Sequence, residues 1–342
     1  MNISIIGAGS TAMAAAAYFH LKNIPCQVYV RNPAKAAFWN RSPLYVTGKI
    51  NTSFYVPLTT DLRKTADKAD ILMVCTKAAD HEGVTEEIAP HLHEGQCLLF
   101  MNGCWGAVKA CRLLSRKQDI PSISIAETAN MPFIARLSED FSKLDFKALK
   151  EEITYSCLGD EGAVSPFLHT LAPRISKVSS PASTSLSATN PIIHVTACLF
   201  NITRIEAGES FPFFGAPLTE RVVRYMEGCD RERLAIGKAL GLSLSPLLDV
   251  LNASWGEKKG TLYEALSENP AYRTVPGPSS LTDRYLAEDL PCGMGGLLDL
   301  ADMMHIETPY IRSLVNTLSL YLGQPHTPFL IPADLRMIKN FK

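Results

Sequence analysis

The chain has 342 residues, which at about 150 residues per domain predicts two domains. Hydrophobic residues make up 46% of the sequence and charged residues 20%, so the chain can bury the core of a globular protein. The formal net charge of −1 argues against a protein that holds nucleic acid or an anionic membrane on a large basic surface.

Short apolar runs alternate with helical patterns in the first half of the chain. Strands are predicted at residues 3–6, 27–30, 71–76, 96–101 and 122–126, with further strand-like runs at 153–157 and 174–178. Helices are predicted between them at residues 11–22, 81–92 and 105–116. Because strands and helices alternate, we predict an α/β fold, a Rossmann doubly wound parallel sheet, in a first domain over residues 1–180.

The composition changes after this domain. Residues 179–185 are small and polar apart from one proline and one alanine, and we interpret them as a linker. Helical periodicity then dominates at residues 191–206, 218–240, 262–268 and 309–322. We therefore predict a second, mainly α-helical domain over residues 186–342.

A glycine-rich turn follows the first predicted strand. Its sequence is Gly7-Ala8-Gly9-Ser10-Thr11-Ala12, a G-x-G-x-x-A pattern that ends a strand and opens a helix. Gly7 permits the tight turn, Gly9 lets the backbone approach a pyrophosphate, and Ala12 lets the helix pack closely on the sheet. The free N–H groups of the first helical turn, at Ser10 and Thr11, favour an anion. The turn predicts a nicotinamide dinucleotide site.

The residues after the second predicted strand indicate which dinucleotide is preferred. An NAD site usually has Asp or Glu here, whereas this chain has Arg31-Asn32-Pro33-Ala34-Lys35. Arg31 and Lys35 suit a 2′-phosphate, so we predict that NADP(H) is preferred and NAD(H) possible, with Asn32 and Thr76 also at the cofactor. The alternative is that Arg31 and Lys35 are two solvated surface cations.

One segment of the second domain suggests acid–base chemistry. Asn190 followed by Pro191 is typical of a helix N-cap and the first helical residue. His194 lies four residues after Asn190, so both side chains face one side of the first turn. Such a histidine can serve as a proton donor, or it can be a satisfied core residue.

A second segment carries opposite charges. Arg284 and Asp289 are five residues apart, which places them about 140° apart on an α-helix. They reach one site only if the chain leaves helical geometry near Asp289, and Pro291 favours this. Alternatively, Arg284 pairs with Glu288 on a solvated face.

Several motifs together resemble the opine dehydrogenase family. They are Asn190-Pro191-x-x-His194, the run 230–241, Arg284-Tyr285-x-x-Glu288-Asp289-x-Pro291-x-Gly293, and, after the last Rossmann strands, Glu127-Thr128 with Met131-Pro132 and Arg136. The family includes octopine, nopaline and N-(1-carboxyethyl)amino acid dehydrogenases. The resemblance covers both domains in the same order.

The resemblance implies the reductive condensation of an α-keto acid with the amino group of an amino acid, through an imine that NAD(P)H reduces. It implies that His194 is the general acid and base and that Asp289 orients the imidazole. Arg284 then clamps a substrate carboxylate, and Asn190 binds a carboxylate or the reacting nitrogen.

Two other functions compete with this one. The first is an NADPH-dependent 2-keto acid reductase that resembles ketopantoate reductase, but that family depends on a lysine for which the helical domain offers no matching motif. The second is a non-catalytic sensor that binds NADPH and a protein partner.

The remaining expectations concern partners and location. The partners are small-molecule substrates, and we expect no nucleic acid, no membrane, and a possible homodimer. His81, His91 and His93 lack a closed ligand set, so no metal is expected. Scattered cysteines without a Cys-x-x-Cys pair, and a start without a signal peptide, predict a cytoplasmic protein.

Overall fold

The computed structural model describes residues 1–270, 272–273 and 275–341. The chain divides into two compact units. The first spans Met1–Ser185, with the chain end from Asn340, and the second spans Leu186–Lys339.

The first unit combines strands and helices. Its strands are β1 (Ile3–Ile6), β2 (Cys26–Tyr29), β3 (Leu44–Gly48), β4 (Thr52–Phe54), β5 (Leu58–Thr59), β6 (Ile71–Val74), β7 (Cys97–Phe100), β8 (Ser124–Thr128), β9 (Phe133–Leu137), β10 (Lys143–Leu149), β11 (Glu152–Leu158) and β12 (Arg174–Lys177). Its helices are α1 (Ser10–Leu21), α2 (Pro33–Trp39), α3 (Leu62–Asp67), α4 (His81–Ile88), α5 (Gly106–Leu114), α6 (Val164–Leu171) and α7 (Pro181–Ser187).

Eight strands form the main sheet, in the order β12-β11-β8-β7-β6-β1-β2-β5. All neighbouring pairs are parallel except β8 and β11, which are antiparallel. The chain runs from β1 to β2 on one side and later returns to β6 on the other side of β1. Ligands of such sheets bind at this switch point, outside the carboxyl ends of the strands. The predicted Rossmann parallel sheet is confirmed.

A second sheet of four strands was not predicted. Its order is β4-β3-β10-β9, and only one of its faces is buried. In β10, Leu144 and Phe146 are buried while Lys143, Asp145 and Lys147 are exposed, which is the alternation of a half-buried strand. This period-2 signal was present in the sequence but lay outside the regular alternation of strands and helices.

The predicted linker is wrong. Most of the 179–185 stretch lies in helix α7, and Ser183, Thr184 and Ser185 are buried. Small hydroxyl side chains can be buried when they find hydrogen-bond partners, and these do. Composition alone therefore mistook a packed helix for a loop.

The second unit contains helices and no strand among its described residues. Its α-helices are α8 (Asn190–Leu199), α9 (Ile202–Glu206), α10 (Glu220–Ala239), α11 (Leu247–Trp255), α12 (Leu262–Ser267), α13 (Gly295–Met304), α14 (Pro309–Tyr321) and α15 (Pro332–Asn340). A π-helix spans Tyr285–Met294 and leads directly into α13. The predicted helical second domain is confirmed, although one predicted helix, 191–206, is interrupted between α8 and α9.

Candidate active site and cofactor site

The glycine turn lies where three parallel strands end. Gly7 has a φ of +129°, and a Cβ at this position would lie 2.9 Å from the carbonyl oxygen of Cys75. The Gly7 N–H donates to the carbonyl of Tyr29 at 3.3 Å. The residue must be glycine because the turn presses against the carboxyl end of β6.

The start of α1 exposes backbone donors. The first helical hydrogen bond is donated by Met13 N–H to Gly9 O at 3.0 Å, and the N–H groups of Ser10, Thr11 and Ala12 have no partner in the described part of the chain. A Cβ added to Gly9 would meet nothing within 4 Å, so the turn is open to a ligand. Ala12 is fully buried against the sheet. This arrangement fits a pyrophosphate.

The side chain of Ser10 contacts the small sheet. Its hydroxyl oxygen accepts a hydrogen bond from Leu137 N–H in β9 at 3.0 Å. The hydroxyl proton is thereby left to donate elsewhere, and a phosphate oxygen is a suitable acceptor. The small sheet thus fixes a side chain of the glycine turn.

The basic residues after β2 occupy different environments. Arg31 is 69% exposed and lies 3.7 Å from the carboxylate of Asp80. Lys35 turns back and donates to the carbonyl of Ala8 at 2.8 Å, and its partial burial lowers the pKa of its ammonium group. The Oδ1 atom of Asn32 caps α2 by accepting from two backbone N–H groups. Arg31 is therefore the residue of this group that is most accessible to a ligand.

Thr76 follows β6 and has an unusual hydroxyl group. Its Oγ1 atom is buried and makes no hydrogen bond in the described part of the chain. An unpaired buried hydroxyl is costly, and such groups often await a ligand. Because Ile6 at the end of β1 pairs with Val74 at the end of β6, Thr76 lies beside the glycine turn, where a dinucleotide would bind.

In the helical unit, two predicted residues form a hydrogen-bonded pair. The Nδ1 atom of His194 lies 2.8 Å from the Oδ2 atom of Asp289, across 95 positions of sequence. The side chains are only 14% and 10% exposed. A carboxylate can only accept a hydrogen bond, so we assign the imidazole proton to Nδ1, which leaves the Nε2 atom available for acid–base work.

The π-helix explains how Arg284 reaches the same carboxylate. The guanidinium group of Arg284 lies 3.8 Å from the Oδ1 atom of Asp289 and its side chain is 55% exposed. We expected the chain to leave helical geometry, but it widens instead into a π-helix, whose hydrogen bonds join residues five apart. The bond from Gly295 N–H to Leu290 O has this spacing. Residues 284 and 289 consequently face one side.

Asn190 is not the helix N-cap that we predicted. The cap is Thr189, and Asn190 is the first residue of α8 with an exposed side chain. Its exposed amide therefore has no capping role, and it makes no hydrogen bond within the described residues. It lies one turn before His194, on the same helix.

Aromatic rings that sequence reasoning missed surround the imidazole. Tyr285 stacks on His194 with 4.0 Å between ring centroids, and Phe213 lies 5.2 Å from the ring of Tyr285. Burial raises the pKa of Tyr285 to about 12, so its phenol keeps its proton. The run Phe211-Pro212-Phe213-Phe214 was a visible signal, because aromatic residues are unusual in a polar connecting segment.

A strained loop follows β7. Asn102, Gly103, Cys104 and Trp105 all have positive φ angles, between +41° and +68°. Each non-glycine residue in this region costs of the order of 1 kcal/mol, so neighbouring contacts must hold the loop. The N–H of Asn102 donates to the Thr128 hydroxyl at 2.9 Å, and that of Trp105 donates to the Ser185 hydroxyl at 2.8 Å.

The carboxyl group of Glu127 lies directly under this loop and is fully buried. It accepts from Ala107 N–H at 3.0 Å and from the Ser185 hydroxyl at 2.5 Å. Thr184 Oγ1 lies 2.7 Å from Glu127 Oε1 and 2.8 Å from the carbonyl of Pro181, and its single proton can serve only one of them. Burial raises the pKa of Glu127 to about 7. A protonated Glu127 can donate to Thr184 Oγ1, and the Thr184 proton can then be donated to the carbonyl of Pro181.

The described residues offer neither a cluster of metal ligands nor a membrane-spanning helix. Among the described residues, no group of three or more His, Cys, Asp or Glu side chains is arranged to hold a metal ion. His81 is buried against Phe100, and burial lowers its pKa to about 4. Within the described part of the chain, no helix is both long and apolar enough to cross a bilayer.

Comparisons with known proteins agree with this division of the chain. Residues 177–322 match the family described as "NAD/NADP octopine/nopaline dehydrogenase, alpha-helical domain". Residues 3–131 match the family described as "Ketopantoate reductase PanE/ApbA". The opine dehydrogenase of Arthrobacter sp. (strain 1C) is 29% identical, over 92% of this chain and 89% of that protein. The matched part of the helical unit and the near full-length similarity to that enzyme both place opine dehydrogenases among the proteins that this chain resembles.

A second relative is similar over most of its length. The D-nopaline dehydrogenase of Agrobacterium vitis is 25% identical, over 100% of this chain and 90% of that protein. Both relatives are dehydrogenases, and the description of the family matched by residues 177–322 names NAD and NADP.

Solved structures share the fold. Octopine dehydrogenase in complex with NADH and agmatine superposes with a TM-score of 0.79 at 16% identity, covering 97% of this chain and 91% of that one. Yersinopine dehydrogenase with NADP⁺ bound also has a TM-score of 0.79, at 14% identity, covering 100% of this chain and 98% of that one.

Proposed function

We propose that the enzyme condenses an α-keto acid with the amino group of an amino acid and reduces the resulting imine to a secondary amine. The observation that carries this proposal is the His194–Asp289 pair with Arg284 beside it, on a unit whose sequence matches the helical domain of octopine and nopaline dehydrogenases. The keto carbonyl and the amine lose one water to form the imine. A hydride then adds to the imine carbon and a proton to its nitrogen.

His194 moves the protons in this scheme. Asp289 holds Nδ1, so Nε2 gives a proton to the carbonyl oxygen as water leaves, and takes one from the attacking amine. When the imidazole becomes positively charged, the buried carboxylate of Asp289 stabilises it. The Tyr285 ring stacked on His194 keeps the imidazole in one orientation.

Arg284 and Asn190 bind the substrates. Arg284 lies at the edge of the pair and is more than half exposed, so its planar guanidinium group can bind a substrate carboxylate with two hydrogen bonds. Asn190 offers a free amide one turn before His194 and serves a second carboxylate or the reacting nitrogen.

The N-terminal unit holds the cofactor. NADPH, when bound, supplies the hydride. Gly7, Gly9 and the N–H groups of Ser10, Thr11 and Ala12 form the pyrophosphate site, and the unpaired hydroxyl of Thr76 donates to the cofactor. We propose a preference for NADP(H) because Arg31 is exposed at the end of β2, where an NAD site has an acidic residue; Asn32 and Lys35 flank it.

A screen of keto acids crossed with amino acids tests the proposal. NADPH oxidation should require both substrates, and mass spectrometry should find the secondary amine. His194→Ala should lower turnover by about 10²–10⁴-fold and leave the Kd for NADPH unchanged. Oxidation by a keto acid alone would instead support a 2-keto acid reductase, the function suggested by the match of residues 3–131.

Location and assembly stay predictions of the sequence. All nine cysteines are free thiols, which supports a reducing compartment such as the cytoplasm. A homodimer is also proposed, and sedimentation equilibrium tests it.

A further inference from the structure

Pro191 and Gly293 belong to the two motifs around His194 and Asp289, and they have no part in the proposed chemistry. The two residues are nevertheless in contact. Gly293 of the π-helix lies against Pro191 of α8, and a Cβ on Gly293 would lie 2.6 Å from both Cβ and Cγ of the proline ring. Real Cβ atoms essentially never approach other atoms within 3.0 Å. The proline ring is closed on its own backbone and cannot rotate away. The position therefore admits only glycine while the two helices keep this distance.

The contact lies one turn from the His194–Asp289 pair on both helices. Pro191 precedes His194 by three residues, and Gly293 follows Asp289 by four. Side chains three or four positions apart share a helix face. The two helices are thus joined at two neighbouring points, one steric and one hydrogen-bonded.

We infer that Pro191 and Gly293 form a steric notch that sets the separation of α8 and the π-helix, and so positions Asp289 against His194. They are positioning residues, since they act through the pair. The inference rests on the proposed function only where it predicts a change in turnover. The effect on the hydrogen bond follows from geometry alone.

A methyl group on Gly293 would push α8 and the π-helix apart far enough to break the His194–Asp289 hydrogen bond. Ordinary contact begins at 3.4 Å, so a methyl group on Gly293 requires the helices to separate by about 0.8 Å. The Nδ1–Oδ2 distance is now 2.8 Å, and the same displacement along this direction would take it out of hydrogen-bond range. Misplacement of a catalytic group by about 1 Å can cost about a hundredfold in rate.

The experiment compares Gly293→Ala with the double variant Gly293→Ala/Pro191→Gly. Pro191→Gly removes both ring atoms, Cβ and Cγ, that the new methyl group would meet. Pro191→Ala would keep the Cβ and therefore part of the clash. The control is Gly237→Ala in α10, a helical glycine of the same unit whose added Cβ meets the flexible side chain of Leu244. The two readouts are the NMR signals of the His194 ring in ¹⁵N-histidine-labelled protein, and kcat at saturating substrates.

Gly293→Ala should move the Nδ1 signal towards that of Asp289→Asn and lower kcat by at least about tenfold, with the Kd for NADPH unchanged. The double variant should restore the signal and bring kcat to within about threefold of the original enzyme. Gly237→Ala should change neither. If Gly293→Ala fails to fold, a folded double variant with the original Nδ1 signal supports the notch, and an unfolded one overturns it.

An unchanged Nδ1 signal in folded Gly293→Ala also overturns the inference. If the signal moves but turnover does not, the notch stands and the proposed catalytic role of the pair is wrong. The two failures are thus distinguishable.

Discussion

The imidazole of His194 stacks on the phenol ring of Tyr285, with their planes 27° apart. The same imidazole is hydrogen-bonded through Nδ1 to Asp289. One contact restrains the ring against tilting and the other against rotation. The orientation of Nε2 therefore depends on both partners.

Tyr285 should contribute through its ring and not through its hydroxyl. Aromatic pairs are worth about 0.5–1.5 kcal/mol beyond burial, so Tyr285→Ala should lower kcat by about 2–10-fold. Tyr285→Phe keeps the stack and should stay within about twofold of the original kcat. Steady-state kinetics measure both, and equal losses in the two variants would assign the effect to the hydroxyl.

Asp289 should be needed for proton transfer more than for substrate binding. Asp289→Asn keeps the shape but removes the charge that fixes the proton on Nδ1, so kcat should fall by about a hundredfold or more. Asp302→Asn is the matched control, because Asp302 is an exposed acid on α13 paired with Arg312. Similar kinetics in both variants would refute the role of the buried pair.

Arg31 and Asp80 should tune cofactor preference in opposite directions. Arg31→Ala should weaken NADPH binding at least tenfold more than NADH binding, because a hydrogen bond to a charged group is worth about 1.5–3 kcal/mol. Asp80→Asn removes the carboxylate 3.7 Å from Arg31 and should tighten NADPH binding by about 2–3-fold. Fluorescence titration gives both Kd values. Equal losses for the two cofactors in Arg31→Ala would mean that Arg31 is a solvated surface charge.

The Thr76 hydroxyl should strengthen cofactor binding without stabilising the cofactor-free protein. Thr76→Val removes a buried hydroxyl without a partner, so the Tm of the free protein should not fall, whereas the Kd for NADPH should rise by about 3–10-fold. Thr85→Val is the control, since the Thr85 hydroxyl donates to His81 O at 2.7 Å. That variant should lower Tm and leave Kd unchanged. The reverse pattern would exclude Thr76 from the cofactor site.

Glu127 should make stability depend on pH. Its pKa is raised from 4.5 to about 7 in the folded state, so its stabilising protonated form is fully present below about pH 4.5 and lost as the pH rises through 7. Urea unfolding should show the free energy of unfolding falling between pH 5 and pH 7, by up to about 3 kcal/mol from this group. Glu127→Gln should flatten the curve, and identical slopes would show that Glu127 is ionised in the folded protein.

The sequence by itself determined the elements whose signals are local. A G-x-G-x-x-A turn between a strand and a helix identified the dinucleotide unit, because glycine geometry and helix N-termini are encoded within six residues. The motifs around His194 and Asp289 indicated the resemblance to opine dehydrogenases. The helical second unit followed from the period of its apolar residues.

Only the tertiary structure decided the rest. The pairing of His194 with Asp289 joins residues 95 positions apart, and the π-helix that brings Arg284 to the same carboxylate packs against α8. The burial of Thr184 and Ser185 depends on their bonds to Glu127 and to the loop above it. Local composition could not reveal these contacts, because the free energy of a buried polar group is set by the partners that the fold brings to it.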